Sequence, residues 1–222
     1  MAKRIAILGA GGFARETAWL LEEINAASGP MYEFLGYIVS DLSKLGERDN
    51  KEQVLGDTDW LEQNKSKVDG LAIGIGDPHV RNRLGTELSE RFPEMEWPAL
   101  IHPNVRIQKS TLKIGRGVLI CAGTIGSVNI ELSDFCMFNL ACTIGHESLI
   151  GRGCVVNPTV NISGGVVMED EVLVGTGAQI LQYIHIGKGA TIGAGAVVNK
   201  DVAAGTTVVG VTVLTVPVKP KI

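Results

Sequence analysis

Residues 150–174 read IGRGCVVNPTVNISGGVVMEDEVLV, with an apolar side chain at every sixth position: Ile150, Val156, Ile162, Met168 and Val174. The column continues through Ile180, Ile186, Ile192 and Val198, nine positions in one frame. Four residues after each come Cys154, Val160, Val166, Val172, Ala178, Ile184, Ala190, Ala196 and Val202, all apolar and mostly small. A helix repeats every 3.6 residues and a half-buried strand every two, so neither gives six. A coil of short flat strands does, with one large aliphatic inward per face and a small residue turning each corner. Three faces make about 18 residues per coil, stacked at roughly 4.8 Å. A repeat this regular governs the fold, and the prediction is a parallel β-helix. Related positions at Ile114 and Ile120, then Ile130, Cys136 and Cys142, carry it further back in shifted frames.

From Cys142 to Ile150 the spacing is eight rather than six, so residues 143–148 are expected to bulge out of the coil. His146 and Glu147 fall there. Spacing alone leaves two readings: a general base beside a carboxylate, or a solvated turn. The other histidines are His79, His102 and His185, and the four are separated along the chain by 23, 44 and 39 residues. A zinc site needs three converging protein ligands, and these spacings give no close pair, so no metal is expected.

Ahead of the coil the composition changes. Eight of the eleven aromatic residues lie in residues 1–100, whereas residues 101–222 hold 17 of the 28 glycines. The first hundred residues alternate strand and helix signals. Strands are predicted at 4–8, 34–39, 70–75 and 96–101, and helices at 13–24, after Asp57, and from Pro78 to Arg91. Alternation of this kind implies a parallel sheet of about four strands. The expected division is therefore a Rossmann-like half domain over 1–100 and a β-helix with its tail over 101–222. Gly9-x-Gly11-x-x-Ala14 lies between strand and helix, the pattern that lets backbone amides meet a phosphate. Asp41 ends the second strand, where a carboxylate could accept from a ribose or base. So small a unit suits a mononucleotide better than a dinucleotide.

The net charge of −4 leaves no footprint for nucleic acid. No run of about 18 apolar residues is long enough to span a bilayer, and the start lacks a secretory signal pattern. The four cysteines lack C-x-x-C spacing and are expected to be reduced and buried. A cytoplasmic protein with small-molecule partners fits these features.

Several stretches together resemble one family: Gly9-Ala-Gly-Gly12 before a helix, Ile75-Gly-Asp77 with Arg81, Leu100-Ile-His-Pro103, the six-residue repeat, residues 139–147 (NLACTIGHE) and Ser163-Gly-Gly165. They are similar to the bacterial sugar acetyltransferases of the sialic-acid O-acetyltransferase type, which include nucleotide-aminosugar N-acetyltransferases of surface-glycan synthesis. The resemblance implies a left-handed β-helix, a homotrimer with active sites between subunits, and acetyl-CoA as donor. It further implies His146 as base, with Asn139 and Glu147 shaping its site. Gly164 would meet the thioester carbonyl, and Thr176 and Ala194 would lie along acetyl-CoA. Gly11, Gly12, Phe13, Asp41 and Arg81 would hold the nucleotide sugar.

Three departures stand out. Val155 occupies the place of a frequent second histidine, Phe13 replaces the histidine after the glycine pair, and Val209-Gly-Val-Thr-Val213 differs from the usual Val-Gly-Val-Pro-Ala. The expected function is acetyl transfer from acetyl-CoA to a nucleotide-linked 4-amino-6-deoxy sugar. O-acetylation of a sialic acid or other sugar hydroxyl is the alternative reaction, and a non-catalytic oligomerisation coil the alternative class.

Overall fold

The computed structural model describes residues 1–210 except Arg48 and Asn50. The divergent segment beyond Gly210 and the proline-containing tail lie outside the described residues.

The N-terminal unit is a four-stranded parallel sheet, β1 (Lys3–Leu8), β2 (Tyr32–Ile38), β3 (Val54–Gly56) and β4 (Gly70–Ile73), in the order β3-β2-β1-β4. Three helices connect and cover it: α1 (Gly12–Ser28), α2 (Thr58–Asn64) and α3 (Pro78–Arg91). β1 is central, and Ile5 to Leu8 are buried, which is why the run reads as continuously apolar. Asp57 starts α2 by accepting from the Asp59 and Trp60 amides at 2.9 and 3.1 Å. Asp77 caps α3 through the Val80 amide, with Pro78 at the first helical position.

One predicted strand is corrected. The fourth strand is Val54–Gly56, three residues too short to show a pattern, and not residues 96–101. Glu96 makes a single bridge to Gly70, while Leu100–Ile101 pairs with Leu119–Ile120 and belongs to the coil.

The coil is a left-handed parallel β-helix of three sheets built from two-residue strands. The first face carries Leu119–Ile120, Met137–Phe138, Val155–Val156 and Leu173–Val174. The second carries Ile125–Gly126, Thr143–Ile144, Asn161–Ile162 and Gln179–Ile180, and the third Glu131–Leu132, Leu149–Ile150, Val167–Met168 and His185–Ile186. Every pairing among these strands joins residues 18 apart.

That register removes the expected bulge at 143–148. Thr143–Ile144 pairs with Ile125–Gly126 below and Asn161–Ile162 above, with no inserted residue. The inward column runs at six-residue spacing from Ile120 through Leu132, Phe138 and Ile144 to Ile150, and at its one bare position, Gly126, the Ile107 side chain takes the space. Ile130, Cys136 and Cys142 belong instead to the corner column four residues later, whose next member is Ser148, fully buried. The true irregularities lie at the coil's two ends, 19 residues between Leu100 and Leu119 and 16 between Ile192 and Val208.

Corners turn through a left-handed residue every sixth position, and several are not glycine, among them Phe135, Glu147, Glu171 and Tyr183, with φ of 59–62°. Phe135 projects from its corner into the N-terminal unit and is wholly buried, edge-on to Trp97 at 5.1 Å. A Cβ on Gly85 of α3 would lie 2.5 Å from that ring, so glycine is what lets the helix close on it. Leu119, Met137 and Val155 of the first face pack with Ala14, Ala18 and Leu21 of α1 in one buried cluster. The N-terminal unit therefore covers the first face and leaves the second and third outward.

Candidate functional site

Two places gather the predicted residues. The first is a cleft of about 630 Å³ at the carboxyl ends of the parallel strands. Gly9, Gly11, Ser40, Asp41, Asp49 and Thr58 line one side and Arg83, Glu87 and Arg91 of α3 the other. β1 has β2 on one flank and β4 on the other, so the cleft opens where the connections diverge, the usual ligand position in open α/β sheets.

The glycine loop is explained position by position. Gly9 has φ of 95°, and a Cβ there would lie 2.9 Å from Ile75. Gly11 precedes α1 with no side-chain cap, which leaves the helix's first amides for an outside acceptor. Ala14 packs against Gly74, where a Cβ would lie 2.6 Å from that of Ala14, so position 74 must stay bare. Arg15 folds back towards the loop, reaching the Ala10 carbonyl at 3.4 Å and Asp49 at 3.1 Å. Asp41 caps a short turn by accepting from the Ser43 amide and hydroxyl at 2.9 and 2.6 Å. Gly12 and Phe13 begin α1 and do not line the cleft, and Phe13 packs against the cluster beneath the helix.

Arg81 is a correction, since it does not reach the cleft. It is fully buried between the two units and donates to the carbonyls of Phe135, Ile73 and Ile75 at 3.0, 2.7 and 2.9 Å. Burial lowers its pKa to about 10, so it remains charged at neutral pH, solvated by carbonyls rather than by a carboxylate. A lone arginine in a polar motif looks like a ligand contact, and nothing in its sequence neighbours marks it as a clamp. Arg83 and Arg91, which do line the cleft, and Arg15 escape the reading of the sequence. The signals that point to them are a spacing of i and i+8 on α3, and a basic residue three positions after the glycine pair.

The second place is the corner that follows the second face. His146 is half exposed, and its Nδ1 lies 3.3 Å from Glu147 Oε2. Its ring lies directly on Gly164 of the next coil, where a Cβ would collide with Nε2 and Cε1. The Gly164 amide donates to no acceptor among the described residues, and a Cβ on Gly145 would run into that nitrogen. Two bare glycines thus keep an unclaimed N–H beside an imidazole. Ser148, which a bulged segment would have carried out of the coil, ties the corner down: its hydroxyl donates to the Gly145 carbonyl at 2.9 Å.

Asn139, Thr176 and Ala194 are not brought to His146 within the chain. They lie at or beside the corner after the first face, one whole face away. Asn139 is 9% exposed, and its side-chain oxygen accepts from the Leu140 amide at 2.8 Å. Val155 is buried beneath α1, so the place of the second histidine is closed to any ligand here. The four thiols are free and buried, and burial pushes Cys121 and Cys136 up to about 12 and Cys142 to about 11.

Comparison with known proteins agrees with both units. Residues 4–88 match the PglD N-terminal domain and residues 165–200 the bacterial transferase hexapeptide repeat. The chain is 31% identical to GDP-perosamine N-acetyltransferase of Escherichia coli O157:H7 over 92% of each. A second relative, 2,3,4,5-tetrahydropyridine-2,6-dicarboxylate N-acetyltransferase of Staphylococcus aureus, is 41% identical, but the match spans only 29% of its length and 31% of this chain. Among solved structures, the acetyltransferase domain of PglB from Neisseria gonorrhoeae, in complex with acetyl coenzyme A, superposes with a TM-score of 0.79 at 26% identity, covering 95% of this chain and 97% of that one. With a relative of such identity along nearly the whole of both sequences, this chain belongs to the bacterial hexapeptide-repeat sugar acetyltransferases of the sialic-acid O-acetyltransferase type.

Proposed function

We propose that the chain transfers an acetyl group from acetyl-CoA to the amine of a nucleotide-linked 4-amino-6-deoxy sugar, in the cytoplasmic stage of bacterial surface-glycan synthesis. The observation that carries this is the corner at His146, where an exposed imidazole and an unclaimed amide lie side by side. Family membership and the relative that acts on GDP-perosamine support the acceptor class. The phosphate-approach loop, with Arg15, Arg83 and Arg91 near it, supports a nucleotide diphosphate handle.

In this mechanism the acceptor amine attacks the thioester carbonyl carbon as Nε2 of His146 takes its proton. Glu147 accepts from Nδ1–H, which fixes the tautomer that leaves Nε2 as the base. The oxyanion receives the Gly164 N–H. The C–S bond then breaks, and the proton passes from the imidazolium to the departing CoA thiolate. No covalent enzyme intermediate is required, in keeping with the buried, high-pKa thiols.

The separation of Asn139, Thr176 and Ala194 from His146 supports a homotrimer, in which the first-face corner of one chain would meet the second-face corner of its neighbour. The function is tested by following CoA release with GDP-, UDP- and dTDP-linked 4-amino-6-deoxy sugars and with free sialic acid. Release with a nucleotide amino sugar and none with sialic acid is expected. Release with sialic acid alone would replace the amine by a hydroxyl acceptor, and release with none would leave the coil without this activity.

A further inference from the structure

Tyr183 stands at a corner in the left-handed region, with φ of 59°. It is 70% exposed, the most exposed aromatic side chain among the described residues. Other large left-handed corners are each committed to a contact. Phe135 docks into the N-terminal unit, Glu171 bonds Asn82 and His79 of α3, and Glu147 pairs with His146. Tyr183 differs, because its hydroxyl bonds no group among the described residues. Its ring leans back along the coil onto Gly165, where a Cβ would collide with Cδ1 and Cε1. From the opposite direction the His146 ring lies on Gly164. Two adjacent bare glycines are thereby flanked by an imidazole from the preceding coil and a phenol from the following one.

We propose that Tyr183 is a positioning residue for the donor, its ring forming the far wall of a groove floored by Gly164 and Gly165. This rests on the acetyl-transfer reading above. A thioester whose carbonyl meets the Gly164 amide has His146 on the side of the preceding coil. The thiol-bearing arm must therefore leave over the following coil, and that coil presents Gln182 and Tyr183 at this corner. The arm is a chain of methylenes and amides. A flat ring with few torsions supplies contact area to it at little entropic cost. The ring face does the holding, not the hydroxyl.

Two variants of the full chain separate the possibilities. Tyr183→Gly removes the ring and suits the left-handed backbone, whereas Tyr183→Phe keeps the ring. KM for acetyl-CoA and for GDP-perosamine, the Kd of CoA by calorimetry, and assembly mass by light scattering are measured together. Tyr183→Gly is expected to raise the donor KM and the CoA Kd about tenfold, with the sugar KM, kcat at saturating donor and mass unchanged, and Tyr183→Phe to behave as wild type. An unchanged donor KM and CoA Kd would overturn the proposal, as would a shift confined to the sugar KM. A lower assembly mass would also overturn it, since it would make Tyr183 an interface residue. A wild-type chain that binds no CoA would overturn the acetyl-transfer reading itself, so the two failures are told apart.

Discussion

At the residue scale the corner at His146 depends on what is missing as much as on what is present. Removing the imidazole in His146→Ala takes away only the proton acceptor, and general-base contributions run to about 10²–10⁴ in rate. A fall in kcat of that size, with unchanged circular dichroism, is the expected outcome. Near-normal turnover would sink the assignment. Gly164→Ala is the complementary change, because its methyl would occupy the space the imidazole now fills. Displacing a catalytic ring by about 1 Å costs on the order of 10², so kcat should drop while the KM of the nucleotide sugar, proposed to bind on the N-terminal unit, stays put. The thiols give a separate test. With Cys121 and Cys136 pushed up to about 12 by burial, the native protein should resist iodoacetamide at pH 8 and take up four equivalents once unfolded. Rapid modification of one thiol in the native state would contradict that burial.

At the element scale the two units are joined by a corner of the coil that acts as a knob. Phe135 fills the space opened by Gly85 and Gly117, its backbone carbonyl accepts from Arg81, and Arg152 and Arg116 lie 5.5 and 5.9 Å from its ring centre. Phe135→Ala would leave a cavity at the centre of this junction and should cost about 3–5 kcal/mol, read as a lowered midpoint in urea. Gly85→Ala should destabilise too, by forcing a methyl into the ring. None of this was legible in the sequence, where Phe135 falls in neither apolar column and Arg81 reads as part of a polar motif. The six-residue period was legible because from Ile150 to Val198 the coil buries one apolar side chain per face. The frame around His146 was not, because two apolar columns four residues apart resemble one column with a skip when Ser148 interrupts the second. His146 was singled out because of an expected insertion, but it sits on a regular corner, and Gly164 in the coil above together with its neighbour Gly145 gives it room. The phosphate-approach loop was legible from its three small residues: packing explains Gly9 and the fit of Ala14 against Gly74, whereas Gly11 faces open space. The short β3 strand and the arginines of the cleft carried too little pattern to find.

At the scale of the whole molecule, the residues implied for one site lie on two corners of the coil, with a full face between them. The first face is covered by the N-terminal unit, so further chains can approach only the second and third faces. The exposed apolar side chains Ile125, Val128, Leu140, Leu181 and Val197 lie on or beside the second face, and Leu149 on the third. Repeated placement of the same contact by a closed rotation makes a ring, and three chains would bring the Asn139 corner of each to the His146 corner of the next. Light scattering should then give three times the 23.6 kDa chain mass. Complementation tests the shared site more sharply. His146→Ala and Asn139→Ala are each expected to lose activity as pure assemblies. After unfolding and refolding together in equal amounts, any trimer holding both variants has one interface with an intact histidine facing an intact asparagine. Random mixing makes three trimers in four of this kind, so about a quarter of wild-type activity should return. If both groups act within one chain, no arrangement restores an intact pair, and the mixture should stay as inactive as its parents.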